Sequence, residues 1–162
     1  MITHLYVMRH GIAVERGETD VADDDRPLLP KGERRTRETA IALRRLGLKL
    51  DRIIASPLAR AAKTAAIAAE FLEAEAPLEH DDALRAERGA ASIAAWLETR
   101  PESRVMIVGH NPALSELIGR LVVAPTTLCT LRKGGVAALR RRADRFEIDW
   151  IVRPRLIRRW IS

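Results

Sequence analysis

The chain has 162 residues, 47% of them hydrophobic, a formal net charge of +6 and one cysteine; that suits one domain over 1–162 with a full core and leaves no room for a second catalytic domain. No apolar run approaches the roughly 20 residues that cross a bilayer, and no signal segment precedes the first strand. Cys129 has no internal disulfide partner, so a soluble cytoplasmic protein is expected.

The apolar run Leu5 to Met8 reads as a first strand, with Arg9-His10-Gly11 at its exit. Glu15 to Asp25, acidic and glycine-containing, reads as a mobile loop, and Asp23 to Asp25 as a solvated part of it. From Lys31 to Leu46 the apolar positions Ala40, Leu43 and Leu46 lie among charges, which predicts an amphipathic helix closed by Gly47. Arg52 to Ala55 reads as a short buried strand. Ser56 then fits an N-cap and Pro57 a first helical residue, because proline lacks only a donor that is unpaired there anyway. The alanine-rich run Ala59 to Glu75 predicts a long helix stopped by Pro77, with Arg60 one turn from its start.

A short extended piece near Leu78 and a helix from Ala90 to Leu97 lead to a strand at Val105 to Val108. Gly109-His110-Asn111-Pro112 follows, repeating the punctuation seen after Ala55, and a helix from Ala113 to Leu121 comes next. Gly135 to Leu139 and Phe146 to Val152 have strand composition and predict a hairpin around Arg142-Ala143-Asp144-Arg145. The tail is rich in arginine: Arg140, Arg141, Arg142, Arg145, Arg153, Arg155, Arg158 and Arg159. No aromatic-basic module accompanies that charge, so nucleic acid is not the expected partner, and a general preference for anions is.

This alternation predicts an α/β fold, a three-layer sandwich with a mostly parallel central sheet, helices on both faces and a C-terminal antiparallel hairpin. In such a sheet the carboxyl ends of the strands share one edge, where ligands bind. His10 and His110 then face a common site together with Arg9 and Arg60. Two helix N-termini point there as well, with dipoles and N–H groups that favour phosphate, and guanidinium forks match phosphate oxygens.

Rival chemistries leave signatures that are missing. Zinc ligands at close helical or turn spacing do not occur, Arg9 repels a cation beside His10, and no metal or other cofactor is expected. There is no Gly-Lys pair for a Walker loop, no Gly-x-Ser-x-Gly elbow, and Gly135 stands where a cysteine phosphatase carries arginine six residues after its cysteine. Cys129 therefore reads as an inert packed thiol. His4 and His80 lack the strand-exit context and read as structural or surface residues.

Arg9-His10-Gly11, Ser56-Pro57-x-x-Arg60-Ala61 with Thr64 beyond, and Gly109-His110-Asn111-Pro112 together resemble the histidine phosphatase superfamily, whose best-known members are the phosphoglycerate mutases. Arg26-Pro27-Leu28 with Lys31-Gly32 resembles its compact phosphohistidine phosphatase branch, SixA. The resemblance implies a phosphoglycerate mutase-like fold and a metal-independent phosphatase in which His10 takes the phosphoryl group while Arg9, Arg60 and His110 surround its oxygens. The family's acidic proton donor has no clear counterpart: Glu87, Asp82 and Asp25 are the candidates. A phosphohistidine substrate needs such a donor less, because its P–N bond breaks readily.

The segment from Arg60 to His110 has no room for the lid insertions of larger members. A shallow, open site is therefore expected, suited to a phosphorylated partner protein such as a phosphohistidine transfer domain. The alternatives are a small phosphorylated molecule, as ester or anhydride, and a regulatory module that binds phosphate without turnover.

Overall fold

The computed structural model describes residues 1–18, 20–123 and 128–161, the last four by backbone alone. Along the chain run β1 (His4–Arg9), α1 (Pro30–Arg45), β2 (Arg52–Ala55), α2 (Ala59–Leu72), β3 (Leu78–His80), α3 (Ala90–Glu98), β4 (Arg104–Gly109), α4 (Ala113–Leu121), β5 (Val136–Arg142), β6 (Arg145–Val152) and α5 (Pro154–Ile161). Single 3-10 turns occur at Asp23–Asp25 and Asp82–Leu84. Among the described residues the strands form one six-stranded sheet in the order β3-β2-β4-β1-β5-β6. The first four are mutually parallel, and β5 and β6 are antiparallel.

Because successive side chains on a strand point to opposite faces, the unbroken apolar runs must be covered on both sides. Leu5, Val7, Ile54, Val105 and Ile107 pack with Leu114 and Leu117 of α4 and with Ile93 and Leu97 of α3. Met8, Ile53, Ala55, Met106 and Val108 pack on the other face with Leu43 of α1 and with Ala61, Ala65 and Ala68 of α2. The small alanines let α2 lie close to the sheet. The three-layer α/β sandwich and its C-terminal hairpin are thus as the sequence predicts.

Local differences have local causes. The Ser56-Pro57 punctuation does not cap a helix: α2 starts at Ala59, after an extended Leu58, while the Ser56 hydroxyl lies 2.9 Å from His110 Nε2 and accepts Leu58 N–H at 3.4 Å. Helix α4 starts at Ala113 as predicted, but Asn111 bonds the segment beyond the helix instead of capping it. Helix α2 ends at Leu72, not Glu75, where Glu73 turns left-handed at φ 52°. Strand β5 runs on to Arg142, and Ala143, at φ 53°, makes the hairpin turn. Helix α5 was not expected. Its Ile157 is buried with Ala42 of α1 and Val152 of β6, so burial compensates for an arginine-rich sequence that propensity alone leaves ambiguous.

Within the expected mobile loop at 15–25, Arg16, Asp23 and Asp24 are tied down. Asp23 bonds Arg16 and Arg26, each at 2.9 Å, Asp24 pairs with Arg85, and Ala13 bridges Leu28. Beyond the loop, Gly32 lies directly on the backbone of Ile12. A Cβ there would sit 2.1 Å from the Ile12 carbonyl oxygen, so only glycine lets α1 seat against the exit of β1.

Candidate active site

Sheet register creates the site. Strands β1 and β4 are parallel neighbours with Arg9 opposite Gly109, so the next residues, His10 and His110, emerge side by side. Their ring centroids lie 5.2 Å apart. On the other side of β4, Ala55 pairs with Val108, which brings Ser56 to the same level. Residues 100 positions apart in sequence thus meet at one strand edge.

Each imidazole is held by a specific bond. His10 Nδ1 lies 2.8 Å from the Gly11 carbonyl oxygen. A carbonyl can only accept, so Nδ1 carries the proton and Nε2 keeps its lone pair. His110 Nε2 lies 2.9 Å from the Ser56 hydroxyl, while its Nδ1 is buried without a partner among the described residues. Both rings are nearly enclosed, at 7% and 3% exposure, and burial disfavours the imidazolium. Burial, with the positive charges of Arg60, Arg9 and Lys133, pushes His10 down to about 4 against the opposing pull of the Gly11 carbonyl. Burial, then His10 and Arg60, push His110 down to about 3. His10 is therefore neutral at pH 7. An imidazolium at His110 requires a nearby negative charge to induce it.

The two guanidiniums come from different elements. Arg60, in the first turn of α2, is 3% exposed and donates through Nη1 to the Asp23 carbonyl at 2.7 Å, with Nη2 3.5 Å from the Asp23 carboxylate. Arg9 donates to the Leu131 carbonyl at 2.9 Å. The Nε atoms of both are buried and lack a partner among the described residues. Buried polar groups are normally satisfied. Two such guanidinium nitrogens and a histidine nitrogen beside His10 are thus suited to meet an anion's oxygens.

The supporting bonds explain Thr64. Its hydroxyl donates to the Arg60 carbonyl at 2.6 Å and accepts the Gly11 N–H at 2.9 Å, fixing α2 to the exit of β1. Asn111 donates to the Leu131 carbonyl at 3.0 Å and accepts from Ser115 at 2.9 Å. The Ser115 hydroxyl in turn accepts Leu131 N–H at 3.1 Å. A cavity of about 530 Å³ opens beside this network, lined by Arg9, Asn111, Pro112, Ser115, Glu116 and Thr130.

All four sequence-predicted residues, Arg9, His10, Arg60 and His110, lie at this edge. The three candidate acids are not joined to them. Glu87 and Asp82 are exposed and reach Arg85 at 2.9 and 3.5 Å, and Asp25 is exposed on its 3-10 turn. Bonds from its own backbone N–H and from Arg85 hold the Glu87 carboxyl below its usual range, the wrong direction for a general acid. Sequence reasoning missed two participants. Ser56 was read as a cap, and Asp23 as solvated, although hydrogen bonds from Arg16 and Arg26 and the charge of Arg60 hold its carboxyl well below the usual range. No local sequence signal marked the second, whose partner Arg60 lies 37 residues on.

His4, at the far end of β1, bonds Thr3, and His80 is exposed. Cys129 is free and half-buried against the core, where burial raises its thiol. Among the described residues no cluster of three or more metal-binding side chains occurs, and no helix is long and apolar enough to cross a membrane.

The fold and this edge define an α/β protein with two histidines and two arginines gathered at one strand edge. The description of the histidine phosphatase superfamily (branch 1) matches residues 5–86, and the chain belongs to that superfamily. An uncharacterized protein of Picosynechococcus sp. is 40% identical over 151 residues, covering 88% of each chain. Among solved structures, the protein histidine phosphatase SixA complexed with tungstate superposes with a TM-score of 0.85 at 21% identity, over 95% of this chain and 99% of its own. Phosphoglycerate mutase from Bacillus anthracis superposes at 0.76 with 13% identity, over 99% and 97%. At such identities these two likenesses are of fold.

Proposed function

We propose that the protein is a metal-independent phosphatase that works through phospho-His10, and that its substrate is phosphohistidine on a partner protein in the cytoplasm. The observation that carries the reading is the Nδ1 contact to Gly11, which leaves the His10 Nε2 lone pair facing the site. In the first step that lone pair attacks phosphorus as the bond to the leaving nitrogen breaks. The departing imidazole, itself a base, takes a proton from one water. The hydroxide left by that water attacks phospho-His10, breaking the P–N bond, releasing inorganic phosphate and restoring the Nε2 lone pair.

Phosphoryl transfer spreads charge over three oxygens, and preorganised donors supply most of the catalysis. Arg9, Arg60 and His110 are those donors here. A fold neighbour solved with tungstate, a tetrahedral oxyanion, supports the assignment. The isolation of Glu87, Asp82 and Asp25 from both histidines supports a P–N substrate, whose leaving group needs no carboxylic acid.

The test compares wild type with His10→Ala on an aryl phosphate, on phosphoimidazole and on a phosphohistidine protein. Wild type is expected to form an acid-labile, base-stable phosphoenzyme and to turn over in excess chelator. His10→Ala is expected to lose turnover by roughly a thousandfold or more. Equal activity of the two proteins would reduce the chain to a binding module, and an aryl phosphate far preferred over both phosphohistidines would redirect the substrate to small esters.

A further inference from the structure

Beyond the catalytic edge, the segment 128–135 links His10 to an exposed face that the chemistry does not use. Gly134 N–H bonds the His10 carbonyl at 2.9 Å, Arg9 and Asn111 hold Leu131, and Thr130 lines the cavity at Arg9. The same segment continues into two further cavities that share Arg132 and Arg153.

The first, of about 480 Å³, is lined by Arg35, Arg132, Lys133, Arg153 and Arg155 with Pro154, and by no acid. Only Lys133 is paired, with Glu15 at 2.6 Å. The four arginines have no carboxylate partner among the described residues, and the Nε of Arg35 is buried without any acceptor. Elsewhere arginines of this protein find carboxylates readily, as Arg52, Arg100, Arg104 and Arg141 do. Convergent, uncompensated cations repel one another and are stabilised by an anionic partner.

The second cavity, of about 370 Å³, is bordered by Leu128, Ile151 and Leu156. These leucines and isoleucine are 50%, 38% and 51% exposed. An apolar patch rimmed by cations is the pattern of a protein interface, with anchors at the centre and charges at the edge. Nucleic acid accounts for the cations alone and gives no reason for exposed aliphatic side chains.

We propose that segment 128–135 and the start of α5 dock the folded phosphoprotein substrate, whose complementary face is an apolar surface rimmed by carboxylates. Leu128, Ile151 and Leu156 seat the apolar part, and Arg132, Arg153 and Arg155 meet the acids. The inference rests on the phosphoprotein reading above and deepens it: the partner is chosen on this face, and its phosphorylated residue is then presented to His10 at the end of the same strip.

The experiment uses an acidic four-helix phosphotransfer domain, phosphorylated with phosphoramidate, and phosphoimidazole as the small control. Arg153→Glu with Arg155→Glu is expected to lower kcat/KM on the phosphodomain by roughly tenfold or more, as reversed rim charges slow encounter, and Leu156→Ser by about threefold. Phosphoimidazole turnover stays at the wild-type rate in both variants. Binding of the unphosphorylated domain, read by fluorescence anisotropy, falls in the same order and weakens with salt.

Unchanged kcat/KM and unchanged binding in the charge-reversed protein would overturn the docking face. So would an oligonucleotide that binds more tightly than the domain and ignores Leu156→Ser. If wild type hydrolyses neither phosphorylated probe, the proposed activity fails, and the anisotropy of the unphosphorylated domain still decides the docking face independently.

Discussion

The two ends of the sheet use arginine in opposite ways. At the end where β2 and β4 begin, three arginines are matched: Arg104 with Asp51 at 2.5 Å, Arg100 with Glu79 and Glu102 at 2.5 and 2.9 Å, Arg52 with Glu102 at 3.3 Å. At the end where β1 and β4 finish, Arg9 has only a carbonyl, and Arg60 has a carbonyl and one distant carboxylate. The first set is neutralised and closes the sheet. The second keeps its positive potential beside two nearly buried imidazoles, where charges act over longer range than in solution. Residue type is therefore no guide to role; the presence or absence of a paired carboxylate is.

The strongest way to break this contrast is to truncate an arginine at each end. Arg60→Ala is expected to lower kcat/KM on any phosphorylated substrate by about 10²–10³, the scale of losing one preorganised donor to a transition-state oxygen. Arg9→Ala is expected to follow at a similar or slightly smaller loss, because Arg9 also holds Leu131. Steady-state kinetics with phosphoimidazole measures both, and a loss below threefold in either would show that unpaired cations at this edge are not catalytic.

How far the contrast could be read beforehand depends on sequence distance. Strand exits carrying His10 and His110, and the helices that separate them, are local patterns and were legible, as was the sandwich. The register that puts Arg9 opposite Gly109 was implied by the parallel sheet but not fixed by it. Ser56 was misread because a serine before proline and a helix looks the same whether its hydroxyl caps a backbone or holds a histidine 54 residues away. Asp23 was misread for the same reason: its partner Arg60 lies 37 residues on, and an aspartate run carries no mark of its partner. Helix α5 was missed because its stability comes from burying Ile157 against α1, a tertiary effect.

Ser56→Ala sharpens the contrast on the histidine side. The variant keeps the fold, since it removes one hydroxyl and leaves the buried Cβ in place. His110 loses its Nε2 partner, and kcat is expected to fall by roughly tenfold, within the range of a lost orienting contact, while KM changes little. Rotation of the ring, detectable as an altered His110 tautomer in 15N spectra, distinguishes this from a general loss of structure.

The pH dependence of stability tests whether the pocket is as dry as its geometry implies. His10 and His110 are held down to about 4 and about 3, against an ordinary value of 6.5. As pH falls below 6.5, the unfolded chain takes up protons that the folded one refuses, so stability declines on acidification and is fully present above 6.5. The two groups together contribute a slope worth on the order of a few kcal/mol by pH 4. Denaturant titrations of wild type and of His10→Gln read it, and an identical slope in the two proteins would mean that His10 is not buried as a neutral ring.

The smallest expected effect completes the comparison from the other end. The Arg104 side chain is 43% exposed beside Asp51, and partly solvated pairs contribute no more than about 1 kcal/mol. Two backbone N–H groups, of Ser103 and Arg104, also bond Asp51 at 3.2 and 2.8 Å, so the aspartate keeps partners when the arginine is lost. Arg104→Ala is therefore expected to shift Tm by a few degrees at most and to leave kcat/KM untouched. A kinetic loss without a stability loss there would mean that the paired end of the sheet communicates with the unpaired one through β4, and that charge pairing alone does not separate the two roles.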